Sequence, residues 1–273
     1  MRVGMQAVEN EYIGSPCGIL DQIMIYFARD GMGTHFVPKE PLNKSDINYV
    51  PLGDGGEALR IVGLDTGTDR PGLEKSTYVV RKRECDELAA MMKESKSLQQ
   101  KWATAAAAGA TPSLERLADV DTEEKLTWVR EEFEKTHPKH IQRLLYIFNA
   151  NMRFKKLLAA WKQGDIKTVG QIFREDGHGL RDEYDISGPE LQSMCDIVRT
   201  VDGVLGERML GGGDKGASGA LILDSAEAAL RKAVDCAYPR SHPSFADKYA
   251  IHVVGTCDGI RVLDPALLAA AAK

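Results

Sequence analysis

The chain has 273 residues, of which 43% are hydrophobic and 27% are charged, a composition ordinary for a folded protein of one large domain or two smaller ones. Its formal net charge is -5 and its pI is about 5.8, so the composition does not favour nucleic acid or an anionic membrane surface as a partner and suits a small metabolite better. Five cysteines occur singly and without Cys-x-x-Cys spacing, which argues against a disulfide framework and a zinc site and predicts reduced thiols.

The first residues predict no targeting or membrane segment. The start, Met1 to Gly4, lacks the apolar core of a signal peptide, and no apolar run in the chain approaches the length of a membrane span. We therefore expect a cytoplasmic protein. Residues 1–13 have apolar spacing typical of the end of a helix.

Residues 10–22 predict a tight turn that leads into a helix. Their sequence is Asn-Glu-Tyr-Ile-Gly-Ser-Pro-Cys-Gly-Ile-Leu-Asp-Gln. Ser15 is a capping residue type, and Pro16 is favoured at the first helical position. Asp21 then lies near the positive end of the helix dipole, where a carboxylate stays ionised and can accept a proton or bind a hydroxyl. An Asp that only stabilises the helix end has the same spacing, and spacing alone favours that structural role.

The next elements alternate between helix and strand. The helix that carries Asp21 is expected to end near 31–33, followed by a short strand at 34–37. Residues 59–67 predict a buried strand that ends in a turn, with Asp65 at its end, and 76–89 predict a helix opened by Ser-Thr-Tyr. Functional residues often follow such a strand, so Asp65 is a secondary candidate.

From 98 to 164 the pattern is helical almost throughout, and Pro138 opens the longest helix. Its apolar stripe is typical of a core and carries no predicted chemistry. His137 and His140 lie near the start of this helix and are more typical of solvent-facing side chains than of ligands.

Residues 170–191 predict two helices joined by a polar junction. Ser187, with Glu190 three residues later, has the capping-box spacing for the second helix. His178 in the junction is a possible base beside Asp176 or Asp182, but a side chain that braces the junction is favoured.

The C-terminal part predicts strands at 204–210 and 220–223 around a glycine-rich turn, a helix at 225–237 and a hairpin at 251–263 with an Asp-Gly turn. Strands interleaved with paired helices predict an α+β sandwich.

The glycine-rich turn satisfies the G-x-G-x-x-G spacing at Gly211, Gly213 and Gly216. A dinucleotide site needs a helix directly after this loop, and here a strand is predicted. A phosphate-binding P-loop needs Lys and then Ser or Thr after its last glycine, which Ala217 and Ser218 do not supply. The residues alone therefore leave a flexible turn between two strands.

Four segments resemble motifs of the galactokinases, which are members of the GHMP superfamily of small-molecule kinases. Residues 16–22 resemble Pro-Cys-Gly-(Ile/Met)-(Met/Leu)-Asp-Gln, and 78–85 resemble Tyr-x-x-Arg-(Arg/Lys)-Arg-x-Cys. Residues 177–192 resemble Ser-His-x-Ser-Leu-(Arg/Ser)-x-x-Tyr-x-Val-Ser-x-Pro-Glu-Leu-Asp, with one residue fewer between His178 and Leu180 than in the motif. Residues 208–213 resemble Arg-Met-(Thr/Ser)-Gly-Gly-Gly.

The chain departs from these motifs at several positions. Gly177 and Gly179 stand where the family usually has Ser, and Gln192 stands for its Asp. Asp214 and Lys215 replace the Phe-Gly that follows the three glycines in the family motif. This last departure puts the substrate range and the activity in question.

The resemblance implies the C-terminal portion of a galactokinase with an α+β, GHMP-kinase-like fold. Two family segments do not occur in the chain: Arg-x-Asn-(Leu/Ile)-x-Gly-Glu-His-x-Asp-Tyr, which holds the sugar, and Pro-x-Gly-x-Gly-Leu-Ser-Ser-Ser-Ala, which cradles the triphosphate. Residues 1–58 are then expected to be the remnant of the family's N-terminal domain, and 59–273 its C-terminal α+β domain.

The resemblance also implies an activity and a site. The expected function is ATP-dependent phosphorylation of the anomeric hydroxyl of galactose or a related sugar, with Asp21 at the acceptor hydroxyl. Cys17, Gly18 and Tyr78 are expected to bind the sugar, and Gly211–Gly213 to form the active-site loop. ATP and Mg²⁺ are expected mainly at the family segments that this chain lacks, and no metal ligand is predicted within it. The alternative is a non-catalytic sugar-binding or regulatory protein related to galactokinases.

Overall fold

The structure is a computed structural model that describes residues 2–14, 17–38, 43–51, 59–69, 77–105 and 113–261. The chain divides into two compact units: Met1–Gly53 with Gly255–Lys273, and Asp54–Val254. Each unit is described by itself below. The predicted domain boundary at residue 58 lies outside the described residues and stays a prediction.

The first unit contains two short helices and a small sheet. Helix α1 (Arg2–Ala7) continues into a π-helical segment (Val8–Ile13), and helix α2 (Leu20–Phe27) follows. Strands β1 (Met32–His35) and β2 (Asn48–Pro51) pair antiparallel, with Met32 opposite Pro51 and His35 opposite Asn48. The strand predicted at 34–37 therefore exists and begins two residues earlier.

The predicted start of α2 is wrong. Cys17, Gly18 and Ile19 are not helical, and the helix begins at Leu20. Ser15 and Pro16 lie outside the described residues, so the predicted cap itself stays a prediction. The Cys17 carbonyl accepts a hydrogen bond from Gln6 Nε2 at 3.2 Å, a contact outside any helical ladder.

The predicted C-terminal hairpin does not form in the described part of the chain. Residues 255–261 have no strand structure, and 262–263 lie outside the described residues. The backbone amide of Gly259 donates to the carbonyl of Ala28 at 2.8 Å, and the amide of Ile260 donates to the carbonyl of Ile25 at 2.6 Å. These amides are thus bound to the end of α2, so the Asp-Gly signal does not produce a hairpin.

The second unit is built on an antiparallel sheet with the strand order β4-β5-β3-β6. Its strands are β3 (Leu59–Asp65), β4 (Val204–Met209), β5 (Ala217–Leu223) and β6 (Ala250–Val254). Strand β3 pairs with β5 from Leu59 opposite Leu223 to Asp65 opposite Ala217, and with β6 on its other edge.

Helices cover both faces of this sheet because the side chains of its strands alternate between two apolar clusters. Val62 and Ile222 pack on one face against helices α8 (Pro189–Arg199) and α9 (Glu227–Ser241). Leu221 packs on the other face with Ala160 of α6 (Pro138–Lys162) and Val169 of α7 (Ile166–Asp182). The α+β sandwich expected from the sequence is the observed arrangement.

The remaining helices form a separate apolar cluster. They are α3 (Thr77–Glu94), α4 (Lys96–Ala105) and α5 (Glu123–Phe133), which pack with α6 around buried leucine, methionine and tryptophan side chains. Pro138 opens α6, the 25-residue helix that its apolar stripe predicts. No helix in the described ranges is both long enough and apolar enough to span a bilayer.

The polar junction predicted within 170–191 is mostly helix. Helix α7 continues through Gly177 to Asp182, and α8 begins after Gly188, which makes no side-chain cap, so Ser187 is not the cap. A Cβ atom at Gly177 would lie 2.7 Å from the Glu207 carbonyl oxygen. The glycine therefore lets α7 pack closely on β4, and it does not end the helix.

Candidate functional site

In the first unit, the candidate residues Cys17, Gly18 and Asp21 lie where the chain enters α2. Asp21 is in the first turn of this helix, and its side chain is exposed to solvent. Gly18 is exposed, and Cys17 is half-buried. The Asp21 carboxylate thus lies at the positive end of the helix dipole and is open to a ligand.

The Glu9 carboxylate of the π-helical segment accepts the hydrogen bonds that fix the start of α2. Cys17 Sγ donates to Glu9 Oε2 at 3.2 Å, and Gln22 Nε2 donates to Glu9 Oε1. Gln22 is 1% exposed. Burial raises the pKa of the Cys17 thiol and the Glu9 carboxylate raises it further, so the thiol stays protonated as a donor at neutral pH. The residues on both sides of Asp21 are therefore fixed by one carboxylate.

In the second unit, residues 210–216 connect β4 to β5 and are called the glycine turn below. Gly211 and Gly213 have φ values of +64° and +72°, the left-handed region that glycine enters without strain. A Cβ atom at Gly213 would clash with the carbonyl oxygen of Ile186. A Cβ atom at Gly212 would lie 3.4 Å from Cδ2 of Tyr78, so this candidate side chain packs directly on the turn. The structure thus brings Tyr78 together with Gly211–Gly213.

Asp214 and Lys215, the residues that depart from the family motif, are both engaged. The Asp214 amide donates to the Ile186 carbonyl at 2.7 Å, and Lys215 Nζ donates to Glu190 Oε2 at 3.0 Å. Burial alone would raise the pKa of Glu190, but the hydrogen bond and charge of Lys215 outweigh it and the pKa is lowered. The charge of Lys215 is therefore paired with Glu190, whereas Asp214 is held through its backbone amide.

The end of β3 fastens the other side of the glycine turn. Thr66 Oγ1 donates to the Gly216 carbonyl at 2.5 Å, and the Gly216 amide donates to Thr68 Oγ1 at 3.0 Å. Asp65, the secondary candidate, accepts a hydrogen bond from the Gly67 amide at 2.9 Å and so caps its own turn. A sugar contact by Asp65 stays a prediction.

A buried charge network beside Tyr78 was not predicted from the sequence. Arg143 of α6 is 2% exposed, and its Nε donates to Glu84 Oε2 of α3 at 2.7 Å. Arg81 donates to the same carboxylate at 3.0 Å and to Asp185 Oδ2 at 2.6 Å. Burial would raise the pKa of Glu84, but Arg143 and then Arg81 outweigh it and the pKa is lowered. Since Asp185 precedes Ile186, this network braces the segment that the glycine turn contacts.

A second network supports the start of the Arg-Met-x-Gly-Gly-Gly segment. Arg208 is paired with Asp176 of α7, and Glu207, which is 1% exposed, accepts from Arg174 at 2.9 Å and from Arg199 at 2.7 Å. These contacts join β4 to α7 and α8. The motif identifies Arg208, whereas Asp176 is named in the sequence analysis only as a possible neighbour of His178 and not as the partner of Arg208.

The histidines singled out in the sequence have local partners. His178 Nδ1 lies 3.4 Å from Arg181 Nη2 on the same helix, an arrangement consistent with a brace. His140 Nε2 lies 2.9 Å from Glu87 Oε2, and His137 Nδ1 lies 2.8 Å from Thr136 Oγ1. None of these pairs resembles a catalytic dyad directed at the glycine turn.

The described residues do not gather a metal-binding set. No group of three His, Cys, Asp or Glu side chains in the described ranges could hold a metal ion. Of the carboxylates near the glycine turn, Glu190 is paired with Lys215, and Glu84 is paired with Arg81 and Arg143. This donor set does not fit Mg²⁺, which prefers oxygen ligands that are not already paired with cations.

Comparisons with known proteins identify relatives over most of the chain. Galactokinase from Homo sapiens is 30% identical over 222 residues, which cover 81% of this chain and 48% of the human protein. Galactokinase from Thermococcus kodakarensis is 29% identical and covers 93% of this chain, and that from Roseiflexus sp. is 29% identical and covers 96%. The chain spans about half to three fifths of the length of these relatives. No protein-family model matches it.

Among solved structures, Lactococcus lactis galactokinase complexed with galactose matches with a TM-score of 0.74. The match covers 94% of this chain and 59% of the Lactococcus chain at 24% sequence identity. This likeness confirms the predicted α+β fold class.

Proposed function

We propose that the chain, which is similar to galactokinases over most of its length, belongs to that family and takes part in ATP-dependent phosphorylation of galactose or a related sugar at the anomeric hydroxyl. The observation that carries this proposal is the exposed carboxylate of Asp21 on the first turn of α2, within the Pro-Cys-Gly-Ile-Leu-Asp-Gln segment. A cytoplasmic location, expected from the sequence, stays a prediction.

The proposed role of Asp21 is to accept the hydrogen bond, and then the proton, of the attacking hydroxyl. In phosphoryl transfer the new bond forms between that oxygen and the γ-phosphorus while the bond to the leaving β-phosphate oxygen breaks, so the protein contributes mainly by positioning and electrostatics. A carboxylate that is exposed in the first turn of a helix is open to the hydroxyl group that it is proposed to bind.

Cys17 and Gly18 of the first unit are proposed as sugar contacts, and Tyr78 of the second unit is proposed as a further one. Gly18 has open space around its Cα, which leaves room for a ligand, and Cys17 is anchored by Glu9 and Gln6. The half-buried ring of Tyr78 offers an apolar face of the kind that packs on a sugar ring. Gly211–Gly213 would then allow close packing of the backbone at the site, since a side chain at Gly213 has no space.

ATP and Mg²⁺ are implied by the family, and Mg²⁺ would supply charge neutralisation at the transferred phosphoryl group when bound. The described residues present no fitting Mg²⁺ ligand set, so we assign no metal-binding residue in this chain. The proposal therefore concerns the acceptor side of the reaction.

A second candidate function is a non-catalytic sugar-binding or regulatory protein related to galactokinases. One observation favours it: Asp214 and Lys215 replace the Phe-Gly of the family motif beside the glycine turn. Both candidates share the sugar site and differ in whether nucleotide is bound.

Isothermal titration calorimetry of the 273-residue chain separates the two candidates. The chain is titrated with galactose, with Mg-ATP, and with Mg-ATP in the presence of saturating galactose, and a non-sugar polyol such as glycerol is the control titrant. Heat from Mg-ATP would count against the second candidate, which binds no nucleotide. Heat from galactose alone supports the second candidate, and no binding of galactose would contradict both.

A further inference from the structure

The two residues that depart from the family motif form part of the glycine turn itself. Asp214 has a φ of +67°, and Asp tolerates this left-handed conformation better than a bulky aromatic residue does. Its amide donates to the Ile186 carbonyl at 2.7 Å, and its own carbonyl oxygen lies so close to Gly188 that a Cβ there would clash. Asp214 therefore brings the backbone of the turn directly against the start of α8.

Lys215 adds a charged contact at the same place. Its Nζ donates to Glu190 Oε2 at 3.0 Å, and Glu190 lies in the first turn of α8. The two side chains are 26% and 13% exposed, so water screens this pair less than a pair on the open surface. The ion pair thus joins the turn to a helix that is itself fixed by buried side chains, such as Leu191.

We propose that Lys215 is a positioning residue that holds the glycine turn against α8 through Glu190 and so keeps Gly212 packed on Tyr78. Gly212 lies three residues before Lys215, and a shift of the turn away from α8 would open the contact with the Tyr78 ring. The link from this contact to sugar affinity rests on the proposed function, whereas the link from the ion pair to the order of the turn does not.

Amide hydrogen exchange of residues 211–216 tests the order of the turn directly. In Lys215→Met and in Glu190→Gln, we expect exchange of these amides to accelerate by roughly tenfold, as for the loss of one charge-assisted hydrogen bond. The melting temperature should change little, because the surrounding core is intact. Lys215→Arg should restore slow exchange. The matched control is Lys93→Met, which removes an exposed lysine paired with Glu115 elsewhere in the same unit and should leave the turn unchanged.

The variants are combined to test the pair itself. If Lys215 acts through Glu190, the double variant Lys215→Met/Glu190→Gln exchanges no faster than the single variants. Additive acceleration, or unchanged exchange of residues 211–216 in Lys215→Met, would overturn the proposal.

Galactose titrations of the same proteins then test the consequence for the site. We expect the galactose Kd of Lys215→Met to rise by about tenfold, with recovery in Lys215→Arg, as for the loss of one charge-assisted interaction that orders the turn. If the unmodified chain binds no galactose, the proposed function fails while the exchange result still decides the role of the ion pair. If exchange accelerates but galactose affinity is unchanged, the positioning role is overturned.

Discussion

Replacing Arg143 by Met is expected to destabilise the second unit strongly. Arg143 is 2% exposed and donates to Glu84 Oε2 at 2.7 Å and to the Glu183 carbonyl at 2.7 Å. Methionine fills a similar volume, but the Glu183 carbonyl then lacks the hydrogen bond from Arg143. Glu84, which is 8% exposed, keeps Arg81 as its remaining cation in the network.

The magnitude follows from the burial of the partners. Removing one partner of a buried ion pair costs about 3–5 kcal/mol of unfolding free energy, since a buried charge loses its compensation. Arg81 still neutralises part of the Glu84 charge, so we expect a loss near the lower end, about 3 kcal/mol. Arg130→Met is the matched control, because that arginine forms a half-exposed pair with Glu134 and should cost below about 1 kcal/mol.

Urea unfolding followed by circular dichroism measures this difference. The pKa of Glu84 is lowered in the folded state, so its contribution to stability is present above the unfolded pKa and is lost as the pH falls through the folded pKa. The difference in unfolding free energy between the unmodified chain and Arg143→Met should therefore be largest at pH 7. It should shrink as the pH falls below the pKa of an ordinary glutamate. A loss below about 1 kcal/mol at pH 7, or a gap that widens in acid, would refute the role of this network.

Two further substitutions test local features of the second unit. Gly213→Ala should cost about 2–4 kcal/mol of unfolding free energy, because it combines a left-handed φ with a clash against the Ile186 carbonyl. Gly255→Ala is the control in the same urea titration, and it should be near neutral because a Cβ atom there meets open space. Equal effects of the two substitutions would contradict the tight fit of the turn. Thr122→Ala should lower the unfolding free energy by about 1 kcal/mol, because the Thr122 side chain accepts from the Lys125 amide at the start of α5, and Thr122→Ser should retain most of it. Equal losses in Thr122→Ala and Thr122→Ser would exclude this cap.

The periodic elements were predictable from the sequence, and the elements governed by distant contacts were not. Strand β3 and helix α6 have apolar patterns of one clear period, and each is observed close to its predicted bounds. The start of α2 was misplaced because Gln6 and Glu9 hold Cys17 outside the helix, which no local signal reveals. Similarly, the sequence predicts a polar junction within 170–191, whereas α7 continues through Gly177, which admits the backbone of β4.

The candidate site shows the same division. The sequence identified Asp21 and Tyr78 because they lie in motifs, and the structure places the first on a helix start and the second against the glycine turn. Arg143 lies in an apolar helix and belongs to no motif. Its buried contact with Glu84 depends on the packing of α6 against α3, which the sequence pattern does not predict. The exchange of Phe-Gly for Asp214 and Lys215 was visible in the sequence, but its compensation by Glu190 was not.

The central claim, that Asp21 is the acceptor-side residue of a sugar kinase, is tested most directly by product formation. The chain is joined to the two family segments that it lacks and incubated with galactose and Mg-ATP, and galactose 1-phosphate is measured by phosphorus NMR for this extended protein, for its Asp21→Asn variant and for its Glu11→Gln variant, which neutralises an exposed carboxylate of the same unit. We predict product from the extended protein and from Glu11→Gln, and a rate at least about 100-fold lower in Asp21→Asn, the scale of a lost general base. Equal rates in Asp21→Asn and the extended protein would contradict the claim.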